Sequence, residues 1–312
     1  MTGTAATFRH EAIFYGGLEG FVAGTVPFLR EGITGGEPIF VVVSDDKIAR
    51  LRDALGADAD AVRFADMVDV GKNPARIIPA WAEFVDEAGA TGKPFRGIGE
   101  PISAARTPDE LVECERHEAL LNLAFADGPG WRLACPYDMA TLPPVVLDEA
   151  RRNHPYLREG EGEYVSQTYW DLPAISAPFD RPLPEPPGSA ESMTFDAASL
   201  GEARHFVGER AQAWGLGPER ADGLVLAASE VATNTIRHGG GDGLLRMWTS
   251  DGSLICEVSD RGSIADPLVG RRDPRWNTAG GFGLWLANQM CDLVQVRTFP
   301  TGSVVRLHVG LR

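Results

Sequence analysis

Glu230, Asn234 and His238 recur every four residues in Glu230-Val231-Ala232-Thr233-Asn234-Thr235-Ile236-Arg237-His238. On a 3.6-residue period they share one helix face. An amide oxygen and a carboxylate are hard ligands, suited to a magnesium ion that also holds phosphate oxygens. Downstream come Asp260-Arg261-Gly262 and Gly280-Gly281-Phe282-Gly283-Leu284. Asp260 closes an apolar run, where its carboxylate could accept a hydrogen bond from an adenine amino group. Gly280, Gly281 and Gly283 precede an apolar helical pattern, so backbone N–H groups and a helix N-terminus could approach phosphates closely. Taken singly, Asp-x-Gly is a turn signal, Gly-Gly-Phe-Gly a loop and Glu-x-x-x-Asn a surface pattern. All three in this order point to a nucleotide pocket.

The elements that must position these groups are legible around them. Ala221, Leu224, Val225, Ala228 and Val231 form an apolar stripe at helical spacing. Pro218 suits the first turn of that helix and Gly239-Gly240-Gly241 its end. Leu244 to Thr249 and Leu254 to Val258 read as strands joined through Ser250-Asp251-Gly252-Ser253, a hairpin signal. Leu293 to Phe299 and Val304 to Val309 form a second hairpin. Met193-Thr194-Phe195 suits an edge strand, and Leu200 to Trp214 a helix. The expected architecture is a two-layer α/β sandwich, with one mixed sheet and helices on one face. The polar loop between Asp260 and Gly280 is placed to act as a lid. His238 suits a dipole-favoured helix C-terminus. Arg237, Arg271, Arg272 and Arg275 fit either phosphate contacts or a solvated face.

The series Glu-x-x-x-Asn, Asp-x-Gly, Gly-x-Gly-Leu resembles the GHKL (Bergerat-fold) ATPases. The compact form with Glu-Val-Ala-Thr-Asn-Thr-Ile-Arg-His-Gly is similar to the anti-sigma-factor serine kinases, over residues 192 to 312. The resemblance implies ATP and magnesium as cofactors. It also implies Asn234 as magnesium ligand, Glu230 as general base and Asp260 as adenine contact, with Gly262, Gly280, Gly281, Gly283 and Leu284 shaping the lid and phosphate cradle. It further implies a homodimer that phosphorylates a serine on an anti-anti-sigma (STAS-domain) partner, sequesters a sigma factor, or both. A nucleotide-dependent protein-binding switch without relevant phosphotransfer is the alternative. A histidine kinase is disfavoured, because a proline-rich stretch stands where a dimerising helical hairpin would be needed.

The chain has 312 residues, enough for about two domains. Its net charge of −15 argues against a nucleic-acid surface, which needs a basic face. Cys114, Cys135, Cys256 and Cys291 form no Cys-x-x-Cys pair, so neither a zinc knuckle nor a disulfide framework is indicated. With no long apolar run or basic-flanked leader, the expectation is a cytoplasmic chain that does not meet the membrane. Prolines crowd residues 173–191, which read as a semi-extended linker.

Ahead of the linker, residues 8–172 alternate strand and helix patterns, implying a parallel sheet with helices on its faces. The strand candidates are Ile13-Phe14-Tyr15, Pro38 to Val43, Val62-Arg63-Phe64, Phe95 to Gly99 and Trp131 to Cys135. Helices are expected at Leu18 to Arg30 (with Pro27 a possible break), Asp45 to Leu55, Pro74 to Ala88 and Pro108 to Phe125. This order is compatible with a RecA-like fold. However, the turn Gly16-Gly17-Leu18-Glu19-Gly20-Phe21 lacks the lysine of a phosphate loop.

His10-Glu11-Ala12-Ile13-Phe14-Tyr15, Gly99-Glu100, Glu113-Cys114-Glu115 and Cys135-Pro136-Tyr137-Asp138 together resemble the MEDS sensory domain, over about residues 8 to 155. That likeness implies a P-loop-less RecA/KaiC-like fold and a small-molecule effector. His10, Tyr15, Glu100, Glu115, His117, Cys135 and Tyr137 are the polar candidates for its contacts, since open parallel sheets bind ligands at strand ends. No spacing among the His and Cys residues argues for a metal site.

Overall fold

The computed structural model describes residues 7–160, 162–170, 181–275 and 280–311. The chain divides into two compact units, Met1–Ile175 and Ser176–Arg312. The proline-rich stretch lies partly outside the described residues.

In the first unit, β1 (Arg9–Tyr15), β2 (Ile39–Val43), β3 (Arg63–Asp66), β4 (Arg96–Gly99), β5 (Arg132–Asp138), β6 (Tyr156–Glu159) and β7 (Gly162–Val165) form one sheet in the order β3-β2-β4-β5-β1-β6-β7. All pairs are parallel except β6–β7. Central strands β1, β2 and β5 are buried almost throughout, and β2 is wholly apolar, as expected of a strand covered on both faces. On one face, α1 (Gly17–Thr34) and α2 (Asp45–Leu55) pack Phe21, Phe28, Leu29 and Leu51 against Ile13, Val41 and Ile98. On the other lie α4 (Ile77–Gly89) and α5 (Pro108–Ala124), after the short α3 (Met67–Gly71). Trp81 of α4 meets Phe40 edge-on. The helix α6 (Pro144–Asn153) leads into β6.

Pro27 does not break α1, which runs through it. It sits on the exposed side, where the lost N–H bond leaves a carbonyl to water, while buried Val26, Phe28 and Leu29 hold both halves to the sheet. The capping box of α5 is complete: Glu110 N donates to Thr107 Oγ1 and Thr107 N to Glu110 Oε2.

The second unit is a five-stranded sheet, β11-β12-β10-β9-β8, made of β8 (Glu191–Asp196), β9 (Asp242–Ser250), β10 (Ser253–Asp260), β11 (Leu293–Phe299) and β12 (Gly302–Gly310). Every pairing is antiparallel, which corrects the expected mixed sheet. The reason is connectivity: two tight hairpins supply two of the four pairings, and β8–β9 and β10–β12 also run antiparallel. In the first, Asp251 and Gly252 take φ of 49° and 75°, the left-handed pair that a two-residue hairpin needs. The helices α7 (Leu200–Ala213), α8 (Pro218–His238) and α9 (Phe282–Met290) form the second layer. Their core with the sheet includes Val207, Leu224, Ala228, Val231, Leu284, Met247, Val258 and Leu307. On β10, Glu257 is buried between Arg246 (Nη2–Oε1 2.5 Å) and Arg306.

Gly97 and Gly99 on β4 make room for the Trp81 indole, since a Cβ on Gly97 would sit 2.6 Å from Trp81 Cζ3 and 3.2 Å from the Phe40 carbonyl oxygen. Gly97→Ala should therefore cost about 1–3 kcal/mol by overpacking. Urea unfolding of the full chain should show a lower midpoint, whereas an unchanged midpoint would mean the indole shifts without cost.

Candidate functional site

The long helix α8 carries the central residues of the second unit. Its apolar face buries Ala221, Leu224, Ala228 and Val231, which turns Glu230 and Asn234 toward the start of α9. There the two side chains meet over one glycine. A Cβ on Gly283 would lie 3.0 Å from Asn234 Nδ2 and 3.1 Å from Glu230 Oε2. Gly283 thus provides the clearance that lets both groups stand beside the first turn of α9. Gly281, the residue capping that helix, has φ of 91°, and Gly280 has φ of 107°. L-side chains rarely adopt that region, so glycine is required at both.

Asp260 lies at the end of β10, opposite the last turns of α8. Its Oδ2 accepts from Thr235 Oγ1 at 2.7 Å, and its Oδ1 from the Gly262 N–H at 2.8 Å. These bonds use two of about four acceptor positions on a carboxylate, so the oriented group can still accept from a ligand amine. The surrounding backbone is close. A Cβ on Gly239 would come within 2.4 Å of Asp260 Oδ2, and one on Gly262 within 2.7 Å of the His238 carbonyl oxygen. Arg261 N donates to the Gly239 carbonyl at 3.1 Å, tying the helix end to the strand end.

Asn234, Thr235, His238, Asp260, Gly262, Gly281 and Leu284 line one cavity of about 290 Å³, together with the apolar Val231, Ile264, Val269 and Val305. A largely apolar slot with the fixed Asp260 carboxylate, and Asp266 also in its lining, suits a flat heterocycle bearing an amino group. Glu230 and Gly283 stand next to Asn234, and Gly280 precedes the capping glycine. The sequence-predicted residues of this half therefore come together. Thr235 and Gly239 were missed as site residues. Thr235 follows Asn234 directly, and Gly239 reads as a helix stop rather than as clearance for a carboxylate. Between Asp260 and Gly280, Arg272 and Arg275 pair with Asp266 and Asp273, while Arg271 is buried. Trp276 to Ala279 lie outside the described residues.

In the first unit, strand alternation divides the expected sensory residues between the two faces of the sheet. Tyr15 and Glu100 meet on the α1 side. Tyr15 Oη donates to Glu100 Oε1 at 2.5 Å, and Lys47 Nζ reaches Glu100 at 2.6 Å and Tyr15 Oη at 2.8 Å. Burial pushes the Glu100 carboxyl up against the opposing charge of Lys47. Beside this cluster a cavity of about 710 Å³ is lined by Tyr15, Gly16, Gly20, Gly24, Met139 and Arg158, among others. The Gly17 N–H at the start of α1 is bonded to Asp138 Oδ1 at 3.1 Å. A carboxylate thus occupies the helix N-terminus that binds phosphate in other sheets of this type.

On the opposite face, His10 and Cys135 meet at 3.3 Å (Nε2–Sγ), and Tyr137 packs edge-on to His154. Burial, then His154, lowers the His10 imidazole to about 4; burial, then Glu118, raises the Cys135 thiol well above its usual range. His117 is buried and Glu115 half-buried on α5, and neither joins the His10–Cys135 contact among the described residues. Lys47, Glu118 and His154 were missed. They stand on charged helical patterns and at a helix end, and carry no local signal.

Residues 9–155 match the family model of MEDS, the methanogen/methylotroph DcmR sensory domain. Residues 193–309 match that of the histidine kinase-like ATPase domain. No curated protein matches the chain. Among solved structures, the RsbU and RsbW domains of Rv1364c from Mycobacterium tuberculosis align at 19% identity over 40% of this chain and 33% of that one, with a TM-score of 0.30. The Acinetobacter baumannii histidine kinase AdeS aligns at 15% identity over 39% of this chain and 68% of that one, with a TM-score of 0.26. The chain thus spans about a third of the first of these. None of the described helices is long and apolar enough to cross a membrane. With a parallel-sheet unit and an antiparallel-sheet unit falling on the two matched segments, the chain joins an N-terminal MEDS domain to a C-terminal histidine kinase-like ATPase domain.

Proposed function

We propose that the protein is a cytoplasmic regulatory serine kinase of the anti-sigma type. On this reading its C-terminal domain binds ATP with magnesium and phosphorylates a serine of an anti-anti-sigma (STAS-domain) partner, or sequesters a sigma factor, with the chain acting as a homodimer. The carrying observation is the convergence of Glu230 and Asn234 over Gly283, beside a cavity that holds Asp260. The large cavity beside Tyr15 and Glu100 is where a small-molecule effector of the N-terminal domain would bind.

The donor set fits the metal: an amide and a carboxylate offer hard oxygens, and Gly283 leaves space beside them. Asn234 would hold the ion. A bound magnesium ion neutralises and orients phosphate oxygens during phosphoryl transfer. Asp260, fixed by Thr235 and Gly262, would accept from the adenine amino group. The glycine segment ahead of α9 would turn its N–H groups to the phosphates. Glu230 would take the proton from the serine hydroxyl as the oxygen–phosphorus bond forms and ADP leaves.

Two measurements test this. With purified protein, magnesium and labelled ATP, Glu230→Gln should abolish transfer to a STAS partner while ATP binding stays within about twofold. Transfer that survives the change removes Glu230 from the mechanism. Asn234→Ala should abolish the magnesium dependence of binding. If wild-type protein captures its partner with ATP but never phosphorylates it, the binding-switch reading replaces the kinase. Separately, Gly239→Ala should displace the Asp260 carboxylate and lose a charge-assisted hydrogen bond of about 1.5–3 kcal/mol. Isothermal titration should then show ATP affinity reduced by about tenfold or more, and an unchanged affinity would exclude Asp260 from adenine recognition.

A further inference from the structure

His10, Glu118, Cys135 and His154 come from four different elements: β1, α5, β5 and the residue that ends α6. Their ligating atoms all lie within 4.8 Å of one another. All four side chains are buried, none more than 1% exposed. None of them takes part in the nucleotide site.

The protonation pattern of the two imidazoles is set by their outer neighbours. His10 Nδ1 faces Asn122 Oδ1 at 3.2 Å, and the Asn122 amide is oriented by donating its Nδ2 to the Asn153 carbonyl at 2.8 Å. His154 Nδ1 faces the Ala150 carbonyl oxygen at 2.8 Å. Both partners are acceptors, so both Nδ1 atoms carry the proton and both Nε2 atoms present lone pairs. Those lone pairs converge on one atom, Glu118 Oε2, at 3.2 Å and 3.3 Å. Cys135 Sγ stands 3.3 Å from the same His10 Nε2. With Glu118 ionised, three acceptors and a thiol thus face one another with no donor to reconcile them except the S–H. Two imidazolium ions cannot supply the missing protons cheaply, because the rings are 4.0 Å apart in a dry interior.

A divalent cation reconciles all four. A tetrahedral zinc ion, with bonds of ~2.0–2.3 Å, holds its donors about 3.3–3.8 Å apart; three separations here are 3.2–3.3 Å and the rest fall within 4.8 Å. Histidine ligands characteristically donate the other ring N–H to a carbonyl or carboxylate, as both do. The geometry points to a metal site of the N-terminal domain, in which His10 Nε2, His154 Nε2, Cys135 Sγ and a Glu118 carboxylate oxygen bind one zinc-class divalent cation. On binding, the Cys135 S–H bond breaks, a sulfur–metal bond forms and the proton passes to solvent. The dication with a thiolate and a carboxylate sums to zero, which suits full burial. With four protein ligands the site is closed, and it ties β1, β5, α5 and α6 together. It is separate from the proposed nucleotide chemistry and from the effector cavity on the other face of the sheet.

The test uses the full chain, purified under reducing conditions, stripped by a chelator and titrated with Co2+. One Co2+ per chain should enter with a sulfur-to-cobalt charge-transfer band and tetrahedral ligand-field bands, and Zn2+ should bleach both. Cys135→Ala should remove the charge-transfer band, while Cys256→Ala, in the ATPase domain, should keep it. Asn122→Leu should retain the band but weaken metal affinity about 10–100-fold, as loss of an outer hydrogen bond does. If Cys135→Ala fails to fold, the wild-type spectrum decides. Folded wild-type protein that takes up Co2+ without a sulfur band, or takes up none, overturns the site. So does a band that survives in folded Cys135→Ala.

Discussion

The C-terminal domain depends on how little room surrounds one carboxylate. Asp260 is gripped by Thr235 and by the Gly262 amide, and the backbone on three sides comes too close for a Cβ. Gly239 ends α8 against its Oδ2, Gly262 lies under the His238 carbonyl, and Gly302 passes the Asp260 carbonyl oxygen so closely that a Cβ would sit 1.9 Å away. A group held this way spends no conformational entropy on binding a ligand. The same economy holds at Gly283, where the absence of a side chain lets Glu230 and Asn234 share the mouth of α9. The glycines are therefore the means by which a helix end, a strand end and a second helix start can meet.

This explains which parts of the site could be read from the chain. Glu230 and Asn234 were visible because helical periodicity places residues four apart on one face without any tertiary information. Asp260 was visible because it closes an apolar run. Thr235 and Gly239 were not, because their roles arise from an approach between elements 25 and 21 residues apart in sequence. Periodicity carries no information about such an approach. The antiparallel sheet was read as mixed for a related reason: the hairpin turns were legible, but the pairing of β8 with β9 and of β10 with β12 is long-range.

In the N-terminal domain β1 to β5 and α1, α2, α4 and α5 were legible, whereas α3, α6, β6 and β7 were not, and the polar candidates do not form one group. Alternation along β1 sends His10 to one face and Tyr15 to the other, so a single list of strand-end candidates became two clusters. Each was completed by residues with no local mark: Lys47 beside Tyr15 and Glu100, and Glu118 with His154 beside His10 and Cys135. A ligand set drawn from positions 10, 118, 135 and 154 has no motif spacing, because the parallel sheet and its crossovers, not the local sequence, bring the four together.

The two faces differ in what their polar groups ask for. The Tyr15–Glu100–Lys47 cluster is internally balanced, with a cation, an acceptor and a donor satisfying one another next to an open cavity. The His10–Glu118–Cys135–His154 cluster is buried and short of donors, and its imidazole tautomers are already locked by Asn122 and Ala150. A balanced cluster needs no further partner, and a locked, donor-poor one suits a bound ion. Burying an unreconciled set of acceptors costs several kcal/mol. The two faces of one sheet thus differ in their hydrogen-bond accounting.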